Sequence, residues 1–155
     1  MWNNNFKESL SDGWYSKVSF RKNLNMKYDN NNIFAKILRE EIPCKKIYED
    51  DFVLSFYDIN PQKKIHALVI SKGKYIDLDD FSQNASPEEM VGLLKGINIV
   101  AKKLGVSVDT GKGYRALVNI SEDGGQEVPH LHFHLFGGEK VGKMVSWLLK
   151  LKEII

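Results

Sequence analysis

Cysteine, histidine, net charge and long apolar runs are all scarce in this chain. The single cysteine, Cys44, excludes an internal disulfide and fits a reducing compartment. Lys45 and Lys46 follow it, but no histidine lies close in sequence to activate the thiol. A formal net charge of +2 is too small to make nucleic acid or an anionic membrane the main partner. No apolar run approaches the roughly 18 to 20 residues that cross a bilayer. The N-terminus also lacks a signal peptide's succession of basic region, apolar core and small-residue cleavage site, so a cytoplasmic protein is expected. What remains is ordinary for a globular domain: 155 residues, 43% hydrophobic and 27% charged, enough for one domain with a real core.

The informative scarcity is histidine. There are four, and three of them occupy every second position in Gly124-Gly125-Gln126-Glu127-Val128-Pro129-His130-Leu131-His132-Phe133-His134-Leu135-Phe136-Gly137-Gly138. On a strand, side chains alternate between faces, which predicts His130, His132 and His134 on one face and Leu131, Phe133 and Leu135 on the other.

Residues 1–31, rich in asparagine and lysine without a sustained apolar period, are expected to form a poorly ordered extension, although Trp2, Phe6, Trp14 and Tyr15 leave open a docked part. The compact domain is expected over 32–144. Asn32 is a good N-cap for a short helix bearing Ile33, Phe34, Ile37 and Leu38, which Pro43 stops. Strands are predicted at Lys46–Glu49, Phe52–Asp58 and Ile65–Ser71, separated by turns at Asp50-Asp51 and Asn60–Lys64 short enough to favour antiparallel neighbours. Pro87–Leu104 is the clearest helix: Ser86 and Glu89 make a capping box, Gly105 stops it, and Met90, Leu93, Leu94, Ile97, Val100, Ala101 and Leu104 form the predicted buried stripe. A strand at Tyr114–Ile120 precedes the glycine-rich loop, and residues 145–155 are expected to be a helical tail.

Three readings of the histidine stretch compete. Packing alone accounts poorly for a scarce residue type concentrated on one face. A zinc site is chemically natural for imidazoles two apart on a strand, but Cys44 is distant in sequence and no carboxylate shares their face. The third reading makes a neutral ring nitrogen the nucleophile toward phosphorus, with water releasing the covalent intermediate. Neighbouring histidines then hydrogen-bond the phosphate oxygens, and backbone N–H groups of Gly124-Gly125-Gln126 add anion contacts. This chemistry requires no metal and no cofactor.

His130-Leu131-His132-Phe133-His134-Leu135-Phe136 resembles the histidine-triad (HIT) signature, and Gly-Gly-Gln with Gly137-Gly138 resembles its Hint branch of nucleoside phosphoramidate hydrolases. The likeness extends through Ile33-Phe34-Ala35-Lys36-Ile37, Glu41-Ile42-Pro43, Phe56–Gln62, His66–Ile70 and Asn119. It implies an α+β fold, a five-stranded antiparallel sheet with one long and one short helix, and a homodimer whose sheets join. It also implies a purine nucleotide, AMP or an AMP-X compound, as the ligand. By resemblance, His132 is the nucleophile, His134 and His130 surround the phosphate, and His66 is the additional upstream histidine. Asp58 holds the ribose hydroxyls; Ile33, Phe34, Ile37, Phe56 and Ile59 form the purine slot; Asn119, Gly125 and Gln126 line the phosphate side. Glu127 stands where animal Hint proteins carry a serine, which bears on the leaving group. Alternatives are a dinucleoside polyphosphate hydrolase of the Fhit type, and a nucleotide-binding scaffold with vestigial activity. A histidine nucleophile further implies loss of activity on acidification through roughly pH 6.5.

Overall fold

Two strands form with the expected bounds, Lys46–Glu49 (β1) and Ile65–Ser71 (β3). The structure, a computed structural model, describes residues 27–143. The expected poorly ordered extension lies outside the described residues up to residue 26, together with the aromatic residues that left a docked part open, and so does the expected helical tail. The remaining elements are α1 (Ile33–Leu38), β2 (Val53–Tyr57), α2 (Leu78–Asn84), α3 (Pro87–Lys103), β4 (Arg115–Val118) and β5 (His132–Gly137). All five strands join one antiparallel sheet in the order β1-β2-β3-β5-β4. The fold is α+β, as expected, with one long helix and two short ones among the described residues. No helix among the described residues is long and apolar enough to cross a membrane.

Local chemistry explains the differences from expectation. Helix α2 was not predicted because only Leu78 and Phe81 of its seven residues are apolar, too few for a stripe; Asp77 starts it by accepting the Asp80 N–H at 2.8 Å. Strand β2 begins one residue late because Oδ1 of Asp50 accepts the N–H groups of both Phe52 and Val53 at 2.8 Å, which keeps Phe52 in the turn. Both arms of the Ser86–Glu89 capping box are present.

The sheet separates two cores. On one face Val53, Ala67, Val69 and Leu135 pack against Leu93, Ile97, Val100 and Ala101 of α3. On the other, Leu54, Phe56, Leu68 and Ile70 pack against Phe34 and Ile37 of α1. Each fully buried aliphatic side chain contributes about 1.5–3 kcal/mol. Leu94, expected in the buried stripe, is 67% exposed. The helix seats on Gly92 and Gly96, both buried, and a residue two positions beyond Gly92 is turned roughly 200° away. A Cβ at Gly96 would lie 2.6 Å from Cγ2 of the fully buried Val53.

Gly96→Ala should therefore destabilise the fold by about 1–3 kcal/mol through overpacking, despite alanine's higher helix propensity. Thermal or urea unfolding reads the change, and equal or greater stability would show that α3 is not seated on its glycines.

Candidate active site

Strand β5 lies between β3 and β4, so its side chains have neighbours on both sides. The β3 register pairs His132 with Ile70, His134 with Leu68 and Phe136 with His66. Cross-strand partners share a face, so the fourth histidine joins His132 and His134 although it lies far from them in sequence. Leu135 is fully buried on the opposite face.

His130 lies just outside the strand, although its ring keeps to the face of His132 while Leu131 packs in the α3-side core. The strand starts only at His132. Before it, the His130 N–H donates to the Val128 carbonyl at 2.8 Å and the Leu131 N–H to the Tyr75 carbonyl at 2.8 Å. These bonds bend the chain at His130, whose ring stays on the α1 side of the sheet, edge-on to Phe34 with centres 6.0 Å apart, and has no solvent exposure. Pro129 favours such a bend, because it has no N–H for a strand ladder.

Each ring nitrogen on this chain of contacts has an assignable role. His130 donates from Nε2 to the Ser71 carbonyl at 2.8 Å, so its Nδ1 accepts, and the Tyr28 hydroxyl donates to it at 2.5 Å. The His130 carbonyl accepts the Nδ1–H of His132 at 2.7 Å. A neutral His132 therefore keeps its proton on Nδ1 and an open lone pair on Nε2. His66 receives the Gln62 N–H on Nδ1 at 3.2 Å, while its Nε2 lies 3.4 Å from Oδ2 of Asp58 and 2.9 Å from Nδ1 of His134. Both the amide and the carboxylate favour a proton on His66 Nε2. That proton is donated to His134, whose own proton then sits on Nε2.

Burial keeps these rings neutral. It pushes His130 and His134 down to about 4, the latter helped by His132 and His66 beside it. Burial also lowers His132 and His66, against the opposing pull of nearby carbonyls and of Asp58.

A cavity of about 440 Å³ opens over this face, within the size range of small-molecule sites. His132, His134 and His66 line it with Asp58, Phe34, Asn119, Gly125 and Glu127. Its lining contains two carboxylates and no lysine or arginine among the described residues. A larger cavity, of about 920 Å³, lies between Gly105–Arg115 and Gly138–Gly142. That one contains no histidine, so the chemistry belongs to the smaller.

The HIT domain model matches residues 39–141. The chain belongs to the HIT family. An uncharacterised 13.2 kDa HIT-like protein of Azospirillum brasilense is 51% identical over 119 residues, covering 77% of this chain and 95% of that one. A solved HIT family hydrolase from Clostridium thermocellum is similar at a TM-score of 0.67 and 35% identity, covering 76% of this chain and 99% of that one. A histidine triad protein from Clostridium difficile gives a TM-score of 0.66 at 40% identity, over 73% and 95% of the two chains.

Several residues expected in the HIT site stand elsewhere. His130 is fully buried and does not line the cavity. Of the five residues expected to form the purine slot, only Phe34 reaches the cavity. Ile37 and Phe56 are buried in the core behind it, because the α1 stripe faces the sheet, while Ile33 is half-exposed and Ile59 is 92% exposed. Gln126 braces the loop instead: its Nε2 donates to the carbonyls of Ile76 and Val128, and its Oε1 accepts the Ser121 N–H. The expected amide cradle is also largely committed within that loop. The Gly125 N–H donates to the Glu122 carbonyl and the Gln126 N–H to the Ser121 carbonyl, both at 2.9 Å. Residues not anticipated at the cavity are Asn60, Gln62, Leu68, Leu117, Val128 and Phe136. Phe136 carried a usable signal, since it continues the every-second-residue face of His132 and His134.

The carboxylate missing from the linear pattern is supplied by Asp58, whose oxygen lies within 4.8 Å of ligand nitrogens on His66 and His134. These are donor types that zinc accepts. The two nitrogens are 2.9 Å apart and share a hydrogen bond, closer than the roughly 3.3 Å subtended by tetrahedral zinc ligands at about 2.0–2.1 Å. The arrangement fits a shared proton better than a shared ion.

The buried neutral histidines set a pH dependence of stability. In the unfolded chain they titrate near 6.5, so between that value and about 4 the unfolded state holds more protons than the folded one. Stability is complete above the window and is lost as pH falls through it. The melting temperature should decline from about pH 6.5 toward about 4, and a level melting temperature across that range would contradict the burial of these rings.

Proposed function

We propose that this HIT protein hydrolyses purine nucleoside phosphoramidates, or related AMP-X compounds, through a nucleotidyl intermediate on His132. The observation that carries this reading is the His132 Nδ1–H bond to the His130 carbonyl, which leaves Nε2 as a lone pair at a cavity wall. Nε2 attacks phosphorus, the phosphorus–nitrogen bond breaks, and the amine leaves with a proton taken from solvent. Water then attacks the phosphorylated ring, releases the nucleoside monophosphate and restores the neutral imidazole. His134, with its proton on Nε2, serves as donor to a phosphoryl oxygen, and His66 and Asp58 hold its tautomer.

The charge of the lining supports a phosphoramidate over a dinucleoside polyphosphate. Asp58 and Glu127, without a lysine or arginine among the lining residues, disfavour a polyanionic chain and favour an amine leaving group. The Gly124-Gly125-Gln126 and Gly137-Gly138 flanks support the Hint branch in the same direction. Cys44 as the lone cysteine supports action in the cytoplasm. Phe34, edge-on to His132 at 5.1 Å between ring centres, supports an apolar contact for the base beside the nucleophile.

Turnover of an adenosine phosphoramidate should fall on the order of 10³-fold or more in His132→Ala, while AMP binding is largely kept. Brief mixing with the wild type should give a nucleotidyl adduct mapping to His132 by intact mass and peptide analysis. Diadenosine triphosphate should be the poorer substrate, and the acid limb of the pH profile should lie below the 6.5 of a free imidazole because burial lowers this ring. Normal turnover in the variant would defeat the assignment.

The same reading includes a homodimer with joined sheets. Among the described residues β4 pairs only with β5, leaving one edge open, and α3 exposes Val91 and Leu94. Sedimentation equilibrium should give twice the chain mass at micromolar concentration; a monomer mass would remove the dimer.

A further inference from the structure

Tyr28 precedes α1 and the residues 39–141 that match the HIT model, yet it reaches the foot of the nucleophile. Its hydroxyl is 2.5 Å from His130 Nδ1, and the two rings meet edge-on with centres 5.6 Å apart. The segment that delivers it is anchored at several points. Asn32 donates from Nδ2 to the Asp29 carbonyl at 2.7 Å and, through Oδ1, accepts the Ala35 N–H at 2.9 Å as the cap of α1. Asp29 Oδ1 accepts the Asn31 N–H at 2.8 Å, and Arg39 Nη1 donates to the Asn30 carbonyl at 2.8 Å. The chain from Tyr28 to Asn32 is thus a built turn locked to the start of α1. Phe34, from the first turn of that helix, completes the enclosure by meeting the His130 ring edge-on at 6.0 Å.

The phenol performs a task no other described group performs. His130 Nε2–H is committed to the Ser71 carbonyl, so Nδ1 presents a lone pair in a fully buried position. Only a donor satisfies it, and Tyr28 is that donor. With both nitrogens held, the imidazole is fixed between β3 and the turn before α1, and its own backbone is fixed with it. The peptide unit that follows is clamped at its N–H by the Tyr75 carbonyl. Its carbonyl is the acceptor for His132 Nδ1–H. The Tyr75 contact orients that unit from one end, and the doubly bonded His130 ring orients it from the other.

We propose that Tyr28 is a positioning residue for the nucleophile. Its O–H fixes the His130 ring, and the His130 carbonyl in turn keeps the His132 proton on Nδ1. The inference deepens the proposed function and rests on its assignment of His132 as nucleophile. It makes a residue outside the matched domain part of the catalytic geometry. Loss of the hydroxyl leaves a buried nitrogen without a donor, and the ring shifts, changes tautomer or admits water to recover one. Any of these loosens the carbonyl, and the population of His132 with a free Nε2 falls.

Tyr28→Phe and Tyr28→Leu in the full chain test this. Phenylalanine keeps the ring and loses the hydrogen bond, whereas leucine loses both. Both variants should lower kcat for an adenosine phosphoramidate about fivefold or more with KM within about twofold of wild type, as misplacement of a reacting group does. The ¹⁵N spectrum of His132, recorded without substrate, should move from one Nδ1–H tautomer toward a mixture in both. Three results would overturn the proposal: a phenylalanine variant equal to wild type while leucine is impaired, which assigns packing alone; a rise in KM at constant kcat; or an unchanged His132 spectrum in Tyr28→Phe. Because the spectrum needs no turnover, a wild type inactive on every phosphoramidate would sink the proposed function, while the tautomer measurement would still decide whether Tyr28 orders His132.

Discussion

One hydrogen bond, from His132 Nδ1–H to the carbonyl of His130, organises the site. Imidazole has one proton to place between two nitrogens, and an acceptor at one of them leaves the other as a base. That acceptor belongs to a residue two positions earlier in the same chain. In an uninterrupted strand, that carbonyl would be engaged in ladder bonding rather than available to a side chain. The bend at Val128–His130 therefore does more than end the strand: it turns a backbone group toward the ring that needs it. His130 contributes through its carbonyl and its buried ring, and its side chain does not face the cavity.

The electrostatics follow from the same burial. Desolvation disfavours imidazolium, so a cluster of histidines crowded onto one sheet face stays neutral instead of repelling itself. The two carboxylates at the cavity have different surroundings. Asp58 accepts the Asn60 N–H on one oxygen and faces His66 with the other. Glu127 is exposed in the loop before the bend. The first belongs to the arrangement that fixes His134, and the second is available to whatever enters the cavity.

Rigidity is supplied from both faces of the sheet. Strand β5 is interior, flanked by β3 and β4, with its back face packed onto α3 through the core around Val100 and Leu135. Helix α1 covers the other face and brings both Phe34 and the turn bearing Tyr28 against the histidines. A constellation mounted on an interior strand is held more closely than one mounted on loops, and hydrogen-bond geometry of this kind tolerates little displacement.

Much of this was legible in the residues themselves. The β3 boundaries, the capping box of α3 and the shared face of His132 and His134 follow from periods of two and 3.6 and from cap chemistry, and the α+β class was implied by the resemblance of the histidine stretch to the HIT signature. Those signals are local, since they depend on residues within a few positions of one another. Other features depended on where the chain returns in space. His66 meets His134 across 68 positions, and Tyr28 meets His130 across 102. Leu94 turns outward because glycines elsewhere on α3 seat it on the sheet, and the His130 ring is buried because the Ser71 carbonyl and the Tyr28 hydroxyl hold its two nitrogens. Periodicity fixed which residues were eligible for the site. Tertiary structure decided their partners, because a hydrogen bond needs a donor and an acceptor at contact distance, and only the folded path of the chain brings distant ones together.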